Sequence, residues 1–284
     1  MQRRTFLQSL GIALATPSFA RAMTSTDAMG ARRLKRIGVQ LYTLRDAAKA
    51  DLDRTLADIA GAGYTDVELL MSLGNFGHSP KDVRAMLDKH HLRAPSTHIG
   101  VDTLTKIDGA VDEARTLGHE YLILADLPGE GRQSLATFRE WADRLNRAGE
   151  AARKHQLWLA WHDEAQDFVS FGGRQGYDAL VAKLDPSLVR LQLDTGNAMV
   201  GGRDPLDLMK RYGDRYWSFH IKDAPALKAP HDVELGKGTV DLKGILSRVK
   251  NLDRKHVYVE QETYTGTPLE SVKRDYAYIS KLEF

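Results

Sequence analysis

From Arg36 onward, short apolar runs alternate with amphipathic stretches. The runs fall at residues 36–42, 65–70, 94–99, 120–125, 157–162, 188–194, 216–221 and 256–261. Near-continuous apolar runs of this length predict strands buried on both faces. The stretches between them predict helices. Leu52, Leu56 and Ile59 share one face of the first, and Leu135, Phe138, Trp141, Leu145 and Ala148 share one face of the fourth. Ser79-Pro80-Lys81-Asp82 and Asp204-Pro205-Leu206-Asp207 each read as an N-cap followed by proline at the first helical position, and Thr267 to Glu270 as a capping box. Gly61-Ala62-Gly63 and Gly118 end the first and third helices. Eight strand–helix units predict the α/β class and a parallel (β/α)8 TIM barrel. A doubly wound open sheet is the alternative, but no G-x-G-x-x-G follows the first strand. No linker interrupts the pattern, so residues 36–284 read as one domain, with the long stretch from Lys222 to Val240 a loop over the catalytic face.

The first 22 residues follow a different pattern. Arg3-Arg4 precedes Phe6 and Leu7, a short apolar stretch spans Leu10 to Ala15, and Ala20-Arg21-Ala22 has the small-x-small form of a cleavage site. The adjacent arginines resemble a twin-arginine export signal. The apolar stretch is too short to cross a bilayer, which excludes a stable anchor. An N-terminal helix of the fold is the alternative, interrupted by Gly11 and Pro17. Residues 1–22 are thus expected to be removed, residues 23–35 to form a flexible leader, and the mature protein to be periplasmic. That resemblance implies passage of a folded chain through the twin-arginine export machinery. Formal charge then changes meaning: of 40 Lys and Arg against 38 Asp and Glu, cleavage removes Arg3, Arg4 and Arg21, leaving 37 against 38. A near-neutral domain argues against a nucleic-acid partner. The absence of cysteine excludes disulfides, thiol nucleophiles and Cys-bound metals.

Barrel enzymes carry their chemistry at the C-terminal ends of the strands. Here six of the eight predicted strands bring His or a carboxylate there: Glu68, His98, His162, Asp194, His220 and Glu260. One such residue would be an ordinary core group; six together are costly to bury unless paired or bound to metal. His162, Asp194, His220 and Glu260 come from consecutive strands, whose ends lie about 4.8 Å apart. Two imidazoles and two carboxylates suit one divalent ion, Mn, Zn, Co or Fe. A salt-bridge network with Lys222 is the alternative. Lys222 shares a face with His220 and is expected to stabilise charge on a substrate oxygen, or else to pair with Asp223. His98 is a candidate for a substrate hydroxyl or proton shuttling. Tyr42 is a further candidate contact, and Glu68 is expected to bind substrate or brace Arg45.

The segments IGVQLYTLRD, LQLDTGN, HIKD, GKGTVDLKGIL and VYVEQET, in this order and spacing, resemble the sugar phosphate isomerase/epimerase family of the xylose-isomerase-like barrel superfamily, which includes inosose dehydratases. The resemblance covers nearly everything after Arg36. It implies a divalent metal held by residues of strands five to eight, typically Glu, Asp, His and Glu, which fall on His162, Asp194, His220 and Glu260. His162 departs from that pattern. A branch of the family has His-x-His there, whose second His is Glu164 in this chain. Glu164 is therefore either the ligand or an acid/base group. Asn197 lies where some epimerases have a substrate-binding histidine. The implied chemistry is removal of a proton next to a carbonyl, with Glu260 or Glu164 as base and Lys222 as electrophilic helper. The expected reaction through the enediolate is isomerisation or epimerisation; dehydration or lyase chemistry on a keto-sugar or keto-inositol, by loss of a β-oxygen, is the alternative. Export points to an unphosphorylated small-molecule carbohydrate: a sugar, keto-sugar or glycoside. A non-catalytic carbohydrate-binding barrel and an endonuclease of the same superfamily are the alternatives. Oligomeric state is open, a homo-oligomer included.

Overall fold

The computed structural model describes residues 31–284. The expected export signal and its expected cleavage site lie outside the described residues. Eight parallel strands, β1 (Gly38–Gln40), β2 (Asp66–Leu70), β3 (Arg93–Ile99), β4 (Tyr121–Leu124), β5 (Trp158–His162), β6 (Val189–Asp194), β7 (Tyr216–Ile221) and β8 (His256–Val259), close into a barrel in sequence order. Each is followed by a principal helix: α1 (Leu52–Ala62), α2 (Pro80–Lys89), α3 (Ile107–Leu117), α4 (Leu135–Lys154), α5 (Gly176–Val181), α6 (Pro205–Tyr212), α7 (Leu242–Ser247) and α8 (Pro268–Ile279). Among the described residues no helix is long and apolar enough to cross a membrane.

The helices start where their side chains satisfy free backbone donors. The Ser79 side chain accepts from Asp82 N, the Asp204 side chain from Leu206 N, and Thr267 forms a reciprocal box with Glu270. The first and third end on Gly63 and Gly118 in the left-handed region, φ 108° and 80°. Units five and seven depart from the even pattern, with principal helices of only six residues each.

Strand residues alternate between two environments. Val39, Val67, Leu122, Leu159, Leu191, Phe219 and Val257 pack outward into the main core with Leu56, Val83, Phe138 and Ile245 of the helices. Inside, Tyr121, Ile123 and Ala160 form a small apolar plug beneath the polar layers. Arg190 lies between the rings of Trp158 and Trp217, 3.5 and 3.6 Å from their centroids. The polar residues above this plug build the site.

The leader expected to be flexible through residue 35 is tied down from Arg32. Its backbone exchanges two hydrogen bonds with Phe284, and its guanidinium donates to the carbonyls of Leu246, Ser247 and Val249. The C-terminal carbonyls of α7 offer acceptors that a guanidinium fork can reach.

Candidate active site

The C-terminal ends of β5 to β8 bring the predicted donors together. Asp194 ends β6 and caps the short helix Thr195–Val200, its Oδ1 accepting from Asn197 N at 2.8 Å. The cap turns Oδ2 toward the barrel axis, where it is buried without a hydrogen bond. It lies 3.8 Å from His220 Nδ1, 3.9 Å from His162 Nε2 and 3.1 Å from Lys222 Nζ. Glu260 Oε2 is 2.9 Å from both His220 Nδ1 and Lys222 Nζ. Gly196 permits this crowding: a Cβ there would stand 2.7 Å from that of Lys222. The Thr195 hydroxyl donates to Lys222 O and accepts from Lys222 N, which fixes the backbone beneath the ammonium.

These residues fit a divalent cation. A buried carboxylate oxygen with no hydrogen bond, a second carboxylate and an imidazole nitrogen lie within 4.8 Å of one another, with His162 Nε2 at the edge. Hard oxygen and imidazole donors in this ratio suit first-row divalent ions. The alternative network is also present, since Lys222 bridges both carboxylates and Glu262, the last at 2.5 Å. Lys222 does not pair with Asp223, the alternative reading for it. Asp223 accepts instead from the N–H groups of Ala224, Gly236, Gly238 and Val240, because the following loop folds back over it.

Between His162 and Glu164, His162 points its Nε2 at the cluster, 3.7 Å from Glu164 Oε1. Glu164 is held from the side by Asn197 Nδ2 at 3.1 Å. The two glutamates differ electrostatically. Burial raises Glu164 to about 8, so it is an acid at neutral pH. Burial would raise Glu260 as well, but Lys222 and His220 outweigh it and hold that carboxyl well below the usual range. Burial together with the neighbouring His220 pushes the His162 imidazole well below its ordinary value, keeping it neutral.

A cavity of about 280 Å³ opens onto this cluster, lined by Tyr42, Leu73, His98, Glu164, Asn197, Lys222 and Glu260 among others. A groove of about 370 Å³ lies between Leu104 and Trp141 outside the barrel, but it gathers no comparable set of acids and bases. Glu68 is not in the cavity, contrary to the expectation of a substrate contact. It sits mid-strand in β2, fully buried one layer below, because Leu70, two residues on, takes the rim position. Nor does it brace Arg45, which bonds Tyr42 O and stacks on the Tyr42 ring 4.2 Å from its centroid.

Residues 56–282 match the family described as xylose isomerase-like TIM barrel. The chain belongs to the xylose isomerase-like TIM barrel family. Within reach of it is an inosose dehydratase of Geobacillus kaustophilus, 26% identical over 277 residues, which cover 81% of this chain and 87% of that one. A sugar phosphate isomerase/epimerase from Parabacteroides distasonis superposes with a TM-score of 0.75 at 23% identity, covering 89% of this chain and 98% of that one. The structure described as IOLI protein with a binding zinc atom superposes at 0.67 with 18% identity, covering 85% and 95%.

Two residues of this xylose isomerase-like site escaped the sequence reading. Gln192 lies two before Asp194, and Glu262 two after Glu260. Period-2 alternation on a strand places each beside a residue already singled out. Gln192 is uncharged and Glu262 falls beyond its strand, so neither stands out in the chain as a site residue.

Proposed function

We propose that this chain is a divalent-metal-dependent dehydratase of a keto-polyol, a keto-sugar or keto-inositol, working through an enediolate. The observation that carries the proposal is the pair of carboxyls facing one cavity in opposite surroundings, Glu260 between Lys222 and His220, which favour its ionised form, and Glu164 held by the Asn197 amide, with burial favouring its acid form. Environments that push two pKa values apart assign a base and an acid. Similarity to an inosose dehydratase along most of both chains supports the same reading.

A divalent ion held by Asp194, His220, Glu260 and His162 would supply the Lewis acid that polarises the substrate carbonyl. Glu260 Oε2 is engaged by His220 and Lys222, which leaves Oε1 to take the proton from the carbon next to the carbonyl. The electron pair of that C–H bond becomes the enediolate. Lys222, buried at the cavity floor, stabilises its negative charge. Glu164 donates its proton to the β-hydroxyl, the C–O bond breaks, a C=C bond forms and water leaves. His98, Asn197 and Tyr42 line the cavity where the remaining hydroxyls would lie.

Isomerisation or epimerisation is the second reading, favoured by both carboxyls facing one cavity, so that a proton can return to carbon. NMR in D₂O of metal-loaded protein with keto-inositols, ketoses and 3-keto-glycosides separates the two. Dehydration yields an unsaturated product; isomerisation yields a deuterated isomer. Metal-loaded protein that binds these ligands yet exchanges no α-proton would be a carbohydrate-binding barrel, and the enzyme reading fails. Export by the twin-arginine route to the periplasm belongs to the proposal and rests on Arg3 and Arg4. Periplasmic accumulation should stop when both become lysine.

A further inference from the structure

Beneath the cavity floor lies a second polar layer: Gln40, Glu68, Ser96, Gln192 and Ser218, each at most 1% exposed. Strand register puts them side by side, Gln40 against Glu68, Glu68 against Ser96, and Gln192 against Ser218. Glu68 stands at its centre. Its carboxylate accepts from Gln40 Nε2 at 2.8 Å, from Gln192 Nε2 at 3.1 Å, from the Ser96 hydroxyl and from His220 Nε2 at 2.5 Å.

An ionised carboxylate accepts only, so every group facing it must donate. That requirement orients the Gln192 amide. Its Nε2 faces Glu68 and also donates to Ser218 Oγ at 2.8 Å, so its Oε1 faces the other way. There it meets His162 Nδ1 and His98 Nε2, each at 2.9 Å. Both nitrogens must therefore carry protons. His162 is left with its Nε2 lone pair toward Asp194, whereas His220 donates from both nitrogens, Nε2 to Glu68 and Nδ1 to Glu260.

We infer that Glu68 and Gln192 are positioning residues: through the Gln192 amide they fix the tautomer of His162, so that its Nε2 offers a lone pair to the cluster, and Glu68 holds His220 by its Nε2–H, so that a metal ion would displace the proton of Nδ1. The inference rests on the metal reading of the proposed function. One carboxylate orders His220 directly and His162 through the amide. Partners of this kind, when removed, cost about 10- to 100-fold in metal affinity.

Nitrogen-15 NMR of histidine-labelled, metal-free full chain tests it directly. The expected result is His162 protonated at Nδ1 and unprotonated at Nε2; His162 protonated at Nε2 overturns the inference whatever the variants do. In Gln192→Leu the Nδ1–H preference should be lost, and Zn²⁺ affinity by calorimetry should drop at least 10-fold in folded protein. Ser218→Ala, a smaller change, should weaken Zn²⁺ binding in the same direction. Folded variants with wild-type Zn²⁺ affinity also overturn it. Wild-type protein that has the expected tautomers but binds neither Zn²⁺ nor Mn²⁺ fails the metal reading, and the inference falls with it, the tautomers telling the two failures apart.

Discussion

At the scale of single residues, His162 and Glu164 divide between them the two roles that the sequence left open. His162 sits on the last position of β5 and turns inward, whereas Glu164 is two residues past it and reaches the cavity from above. A carboxyl raised to about 8 by burial suits proton donation better than cation binding. Glu164→Gln should lower kcat by about 100-fold or more while Zn²⁺ affinity stays at the wild-type value. His162→Ala should do the reverse to affinity, weakening it about 10-fold or more. A Glu164→Gln variant that loses metal would make Glu164 the ligand and remove it as the acid.

At the scale of elements, the loop between β7 and α7 is built on buried carboxylates. Asp223 collects four N–H groups of its own loop, and Asp232 accepts from Glu262 N and Thr263 N at 2.6 and 2.7 Å. That second link sets Glu262, the partner of Lys222, above the site. Asp223→Ala would orphan several buried donors, and a loss of about 3 kcal/mol in unfolding free energy by urea titration is expected. Asp275 of α8 holds the same loop through Leu235 N at 2.8 Å. Burial raises its carboxyl from 3.8 to about 7. The folded state then binds a proton that the unfolded state has released, so stability falls as pH rises from about 4 to 7. Wild type should therefore lose more thermal stability between pH 5 and 8 than Asp275→Asn; equal pH slopes would show that Asp275 does not titrate in this window.

At the scale of the whole molecule, like charges gathered at one rim oppose folding until something cationic joins them. Lys222 does this in the structure, and a divalent ion would do it more strongly. Metal at about 100 times its Kd should stabilise the fold by about 2.7 kcal/mol, a rise of roughly 5–10 °C in Tm for a domain of this size. Asp194→Ala should show no such rise, and a rise in that variant would place the ion elsewhere. The barrel itself was legible in the chain because strand burial on two faces, helix caps and glycine stops are local signals, each read within a few residues. So were Asp194, His220 and Glu260, since a polar side chain ending an apolar run stands out by contrast. Glu68 carried the same contrast and was misplaced, because a run of letters does not say which strand position meets the rim once strands are staggered in a closed barrel. Gln192, between Leu191 and Leu193, carried less contrast because it is uncharged. Sequence alone therefore determined the eightfold architecture and most of the candidate donors, through periodicity and burial cost. Tertiary structure decided the layer each side chain occupies, and hence which nitrogen of each histidine faces the site, because that depends on partners up to 152 residues away brought into register only when the barrel closes.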